Sequence, residues 1–290
     1  MQTQPEQPPA DHAQHPLRQL LNDEFHSRPA PPLVAPALVS RLVFTHDAAA
    51  LAGESRRLDD AAGRTGLSRL SGSANAILFA GAGFILRWER HTEFSSYTVS
   101  CSPTTAGATA ATASALDLLP RECLQGIPGQ LIVATHVELR AAAEVSPQSV
   151  TANLSPTGRQ MVAAQVADQA AWVFTDFMLD QGATRFLVLD RSLTPRQAGR
   201  TVQRLLEIET YRLLALLALP VAREIGGWMH DAEEELATMV DHIGEASSPA
   251  DESRVLGELT RLAAKVEHSL ARTNFRFAAA RAYHELVMQR

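Results

Sequence analysis

The spacing of apolar residues changes once along this chain, and that change constrains the fold more than any other feature. From Ala37 to about Asp190 the pattern repeats every second residue, and from Thr194 onward it repeats at helical spacing. Leu38, Ser40, Leu42 and Phe44 alternate with Val39, Arg41, Val43 and Thr45, as in a half-buried strand. Residues 76–80, 84–91, 94–101, 131–139, 162–166, 171–177 and 185–190 read as further strands, with a helix expected over 48–63. Asp180-Gln181-Gly182 is a turn signal that predicts an antiparallel hairpin between the last two. Regular strand–helix–strand alternation is absent, which argues against a doubly wound parallel sheet.

The helical part has clear start signals. Thr194-Pro195-Arg196-Gln197 places a capping hydroxyl, a proline at the first helical position and a glutamine three residues after the cap. Pro220 kinks or restarts this helix, and a second one is expected to about Ile243. Ser248-Pro249-Ala250-Asp251 opens a third, in which Val255, Leu259, Leu262, Val266 and Leu270 stand close to heptad spacing. Phe275, Ala279, Tyr283 and Leu286 continue a helical stripe to Arg290. The expected fold class is α+β: an antiparallel or mixed sheet domain over 15–192, followed by a C-terminal antiparallel helical arm over 193–290. Residues 1–14, rich in Gln and Pro, read as a disordered tail.

Composition removes several classes. With 46% hydrophobic and 20% charged residues, the chain buries a real core. A net charge of −6 argues against a general nucleic-acid binder, and no nucleic-acid partner is expected. Two cysteines, Cys101 and Cys123, exclude a disulfide scaffold. No apolar run reaches the ~18 residues of a membrane span, and the run 213–219 reads as a buried helix. No basic-then-apolar signal pattern opens the chain.

The densest polar cluster is Arg87-Trp88-Glu89-Arg90-His91-Thr92-Glu93. An extended backbone puts Arg87, Glu89, His91 and Glu93 on one face and Phe84, Leu86 and Trp88 on the other. One reading is a site for an anionic small molecule, with Arg87 or Arg90 as clamp and His91 as acid or base. The other is a solvated or salt-bridged sheet face. Asn22 to Pro29 places His26 and Arg28 before a proline-rich turn, either closing over such a site or serving as a docking segment. His91/Glu93 and His136/Glu138 share a His-x-Glu spacing that suits zinc or iron if the pairs lie on neighbouring strands. No third ligand motif supports them, so no metal is favoured and no cofactor is expected. Glu209 and Arg212, three residues apart, read as a routine surface pair, and Tyr211 as core. There is no phosphate-binding Gly-Lys-Ser/Thr loop and no Gly-x-Ser-x-Gly elbow, and Gly81-Ala82-Gly83 precedes no helix.

Several stretches together resemble one family. They are His15-Pro16-Leu17 with Asn22 to Pro29, the tryptophan-centred block Arg87 to Tyr97, Glu209-Thr210-Tyr211-Arg212 leading to Glu224, and Phe275-Arg276-Phe277 with Ala280 to Tyr283. The chain is similar over residues 15–290 to the bacterial family of predicted membrane-anchored proteins called domain of unknown function 3422. Phe25 and Ser27 stand where that family more often has Val and Ala. The resemblance implies membrane association of the full-length protein at the cytoplasmic face of the bacterial inner membrane, through a segment beyond Arg290. It implies no reaction, catalytic residue or cofactor. Two functions are expected to compete. The first is an interaction or scaffold module that uses the helical arm for a protein partner or self-association. The second is an enzyme or sensor for an anionic ligand at Arg87, Glu89, Arg90, His91 and Glu93, closed by His26 and Arg28.

Overall fold

A computed structural model describes residues 15–18, 30–46, 53–103, 114–144, 150, 160–245 and 247–290. The chain divides into two compact units, Met1–Gln203 and Arg204–Arg290. The first is built on a mixed ten-stranded sheet, so the fold class is α+β as expected. The expected tail over 1–14 and most of the loop before Ser114 lie outside the described residues.

The strands in chain order are β1 (Ala37–Thr45), β2 (Ser68–Gly72), β3 (Ala76–Gly81), β4 (Phe84–Arg90), β5 (Phe94–Cys101), β6 (Gln130–Ala141), β7 (Val162–Val166), β8 (Ala171–Thr175), β9 (Leu179–Asp180) and β10 (Ala183–Asp190). Their order across the sheet is β2-β3-β4-β5-β1-β6-β10-β8-β7, with β9 paired to β10. Among the described strand pairs only β6 and β10 run parallel. The turn expected at Asp180 to Gly182 forms, with Gln181 and Gly182 at positive φ. The hairpin it closes joins β10 to the short β9, while β10 also pairs with β8. β2 had no alternating signal, and all five of its residues are exposed.

Helix α1 (Glu54–Thr65) covers one face of the sheet with Leu58, Ala61 and Ala62, residues at spacings of three and four that share one side of a helix. Short helix α2 (Arg121–Leu124) adds Cys123 to the same layer. Together they bury Leu42, Ile77, Phe79, Leu86, Trp88, Tyr97 and Val99. The expected division of β4 therefore holds, with Phe84, Leu86 and Trp88 all on the core face. Gly83 takes positive φ in the tight β3–β4 turn. Gly81 lies under the Phe84 ring, where a Cβ would stand 2.2 Å from a ring carbon.

The capping signals read from sequence are realised. Gln197 N donates to Thr194 Oγ1 at 3.4 Å and Thr194 N donates to Gln197 Oε1 at 2.9 Å, at the start of α3 (Pro195–Leu216). Pro220 falls in the first turn of α4 (Ala218–Glu245), where its missing N–H costs no helical bond. Ser248 Oγ accepts from Asp251 N at 3.3 Å and caps α5 (Pro249–Met288). Within the second unit α4 packs along α5, and Tyr211 of α3 stacks on Tyr283 of α5 at 5.7 Å. Glu209 corrects the expected surface pair: its side chain is fully buried and takes a bidentate bond from Arg212, at 2.9 and 3.0 Å. Among the described residues no helix is long and apolar enough to cross a membrane.

Candidate functional site

Strand β5 sends alternate side chains to opposite faces of the sheet, and its run Ser95-Ser96-Tyr97-Thr98 is polar on both. Two polar clusters result, one on each side.

The first contains part of the predicted site. Register sets Arg41 of β1 opposite Thr98, and Thr98 opposite Arg87 of β4. Arg41 Nε donates to Thr98 Oγ1 at 2.9 Å, and its Nη2 lies 3.5 Å from Glu89 Oε2. Ser96 Oγ donates to the same oxygen at 3.4 Å, and Arg87 Nη1 lies 3.8 Å from Glu89 Oε1. The Arg41, Glu89 and Arg87 side chains are only 8%, 6% and 14% exposed, so this is a sheltered ion cluster and not a solvated ladder. Burial pushes the Arg87 guanidinium below its ordinary value, Glu89 opposes that shift, and Arg41 adds to it.

The remaining predicted residues go elsewhere. β4 ends at Arg90, so His91 and Glu93 do not extend the stripe. His91 N donates to Phe94 O at 2.8 Å and its ring stacks on Phe94 at 4.1 Å, which closes the β4–β5 turn. Arg90 turns to the opposite face from Arg87 and donates to Asn75 Oδ1 from Nε and Nη2, at 3.1 and 2.8 Å. His26 and Arg28 lie outside the described residues.

The two His-x-Glu pairs are not on neighbouring strands, because β5 and β1 separate β4 from β6. His136 faces Ser40 on β1, whereas the turn holding His91 lies beyond Thr45, which faces Phe94. Five residues along a strand and three strand spacings across put the pairs ~16 Å apart in one direction and ~14 Å in the other. His136 Nδ1 is 2.8 Å from Ser40 Oγ, beside a recess of about 50 Å³ that Arg185 and Glu138 also line. Burial, reinforced by Arg185 and opposed by Asp117, lowers the His136 pKa. Glu138 pairs with Arg140. Among the described residues no three His, Cys, Asp or Glu side chains gather as metal ligands.

The second polar cluster escaped the sequence reading. Glu54, the first residue of α1, is fully buried, and its Oε1 accepts from Ser95 Oγ at 2.7 Å and from Tyr97 Oη at 2.6 Å. His46, which follows β1, sets Nε2 2.9 Å from Ser95 Oγ and 3.6 Å from Glu54 Oε2. Its Nδ1 is 2.7 Å from Pro128 O, an acceptor, so that nitrogen carries the proton. Arg57, one turn along α1, donates from Nη2 to Tyr97 Oη at 2.8 Å and from Nη1 to Gln125 O at 2.8 Å. Burial, with the Glu54 carboxylate beside it, raises the Tyr97 phenol far above its ordinary range, so Tyr97 acts as a donor.

Glu54, Ser95 and His46 thus form a hydrogen-bond relay, sealed from water and tying α1 to β5 and to the end of β1. The residue types that would reveal it are separated by up to about fifty positions, and its only local mark is the uncharged polar run in β5.

A third feature lies on the helical unit. In α4, Val221, Ile225, Trp228, Ala232, Glu235, Met239 and His242 alternate at spacings of four and three and are sheltered. Val255, Leu259, Leu262 and Ser269 form the corresponding seam of α5; of the expected stripe, Val266 is 38% exposed and Leu270 lies one residue off the seam. Immediately after a seam position, at intervals of seven, come Met229, Leu236 and Ile243 in α4, exposed at 49%, 43% and 51%. Leu256 and Leu270 occupy the equivalent places in α5, exposed at 65% and 56%. Residues that follow the seam by one lie on the same side of both helices of an antiparallel pair. The hairpin therefore carries one long apolar flank. Its other flank holds Glu224–Arg272 at 3.9 Å, and Lys265 reaches Glu235 at 3.2 Å.

A family model described as protein of unknown function (DUF3422) matches residues 13–290, nearly the whole chain, and the chain belongs to that family. No curated protein and no solved structure matches it.

Proposed function

We propose that this member of the family is a protein-interaction module whose contact surface is the apolar flank of the α4–α5 hairpin. The observation that carries the reading is the row Met229, Leu236 and Ile243, seven apart in α4, with Leu256 and Leu270, fourteen apart in α5, large apolar side chains with 43–65% of their surface in water. Scattered exposed apolar residues are ordinary, but a contiguous row on one side of a helix pair is a surface that gains by being covered. The polar clusters of the sheet support the same reading. Glu89, Arg41 and Arg87 satisfy one another, and Glu54, Ser95 and His46 are sealed inside, so the predicted Arg87–Glu93 site has lost its His91 and Glu93 to the turn. We assign the module no cofactor. The family resemblance supports placing it at the cytoplasmic face of a bacterial inner membrane.

The test is the size of the protein's assembly in extracts of its own host, by sedimentation. Wild type is expected to travel in a species larger than one chain, and Leu236→Glu with Leu256→Glu is expected to release it without loss of helicity. An assembly indifferent to both substitutions would remove the hairpin as the contact surface. A wild-type protein travelling as single chains would remove the interaction reading.

A further inference from the structure

We propose that the occupant of this flank is a second copy of the chain, docked through its own flank about a twofold axis to close an antiparallel four-helix bundle. The inference rests on the interaction reading above and adds the identity of the partner.

The heptad pattern is the first support. A two-helix hairpin buries only its seam, two positions in seven. A helix with an apolar seam and one apolar flank shows three in seven, the pattern of helices surrounded on two sides in a four-helix bundle. Both α4 and α5 show it, on the same side of the hairpin, so two more helices are needed and a second hairpin supplies both.

Topology then sets the pairing. A twofold axis along the bundle sets α4 beside α5 of the copy, so every neighbouring pair is antiparallel. α4 carries Arg223 as its only arginine or lysine against seven carboxylates. That acidity opposes a membrane surface as occupant, since anionic lipid headgroups attract arginine and lysine and repel carboxylates.

Area is the third support. A helix of α4's length is ~42 Å long, and two helices side by side are ~20 Å wide, which gives about 800 Å² per copy, the size of a standard stable interface.

Light scattering and sedimentation of the purified chain test the proposal. The expected result is twice the chain mass at micromolar concentration. Leu236→Glu with Leu256→Glu, and separately Met229→Lys, are expected to weaken the dimer by ~100-fold or more, with far-UV circular dichroism unchanged. Val162→Glu, on exposed β7, is the control expected to leave the mass unaltered. A monomeric wild type at tens of micromolar would overturn the proposal, as would a dimer that survives both helical variants while they remain folded. If the purified chain is monomeric while the larger assembly persists in host extracts, the partner is another protein and only the second-copy assignment fails.

Discussion

Removing one oxygen atom from the core tests the buried relay. Tyr97→Phe keeps the aromatic ring, its edge-on contact with Phe44 at 5.9 Å and the surrounding apolar packing. It deletes a bond of 2.6 Å from the phenol to the Glu54 carboxylate and the acceptor for Arg57 Nη2. A buried hydrogen bond to a charged group contributes about 1.5–3 kcal/mol. Arg57 keeps Cys123 O at 3.2 Å and Gln125 O at 2.8 Å, so its loss adds only about 0.5–1 kcal/mol. Glu54 keeps Ser95 and His46, which prevents the larger penalty of an abandoned charge. The expected cost is about 2–4 kcal/mol, a 30- to 1,000-fold change in the folding constant. Urea unfolding followed by tryptophan emission reads it directly, because Trp88 is fully buried in the same core. Ser95→Ala removes the other donor to the same oxygen, so the double variant must depart from additivity by more than about 0.5 kcal/mol. A cost below about 1 kcal/mol with an unchanged urea slope, or strict additivity, would show that the relay contributes no coupled stability.

Two further outcomes are expected. His136 has a lowered pKa, so the unfolded chain takes up its proton first; its contribution to stability is intact above the ordinary histidine value and lost as pH falls through and below it. His136→Asn should therefore flatten the fall in melting temperature between pH 7 and pH 5, and a parallel pair of melting curves would refute the assignment. Gly199 of α3 lies against Pro31 O, where a Cβ would stand 1.9 Å away, while Gly63 of α1 faces open space. Both substitutions to alanine gain about 1 kcal/mol of helix propensity, but the clash at 199 is with rigid backbone. Thermal melts should show Gly199→Ala destabilised and Gly63→Ala stabilised; equal responses would contradict the packing of Pro31 on α3.

The strands and helices were largely legible because each depends on neighbours in sequence. Alternation marked β1, β4 and β5, a capping box marked α3, and Ser248 marked α5. The polar site was legible only as far as the strand ran straight. Arg87 and Glu89 share a face because period two holds between them, whereas His91 and Glu93 left it because the chain turns at His91 to pair β4 with β5. Alternation also cannot say whether a charged face meets water, and Glu89 reads identically in a wet ladder and in the sheltered cluster it forms with Arg41. That partner comes from β1, nearly fifty residues away, and is delivered by strand order, which no local pattern encodes. The Glu54–Ser95–His46 relay is the extreme case, joining a helix start, a strand and a strand end. The helical flank lies between these limits. Its period of seven is written in the sequence, but only the exposure of Met229, Leu236 and Ile243, set against the burial of Met239, Val255 and Leu262, separates a flank awaiting a partner from the seam already filled.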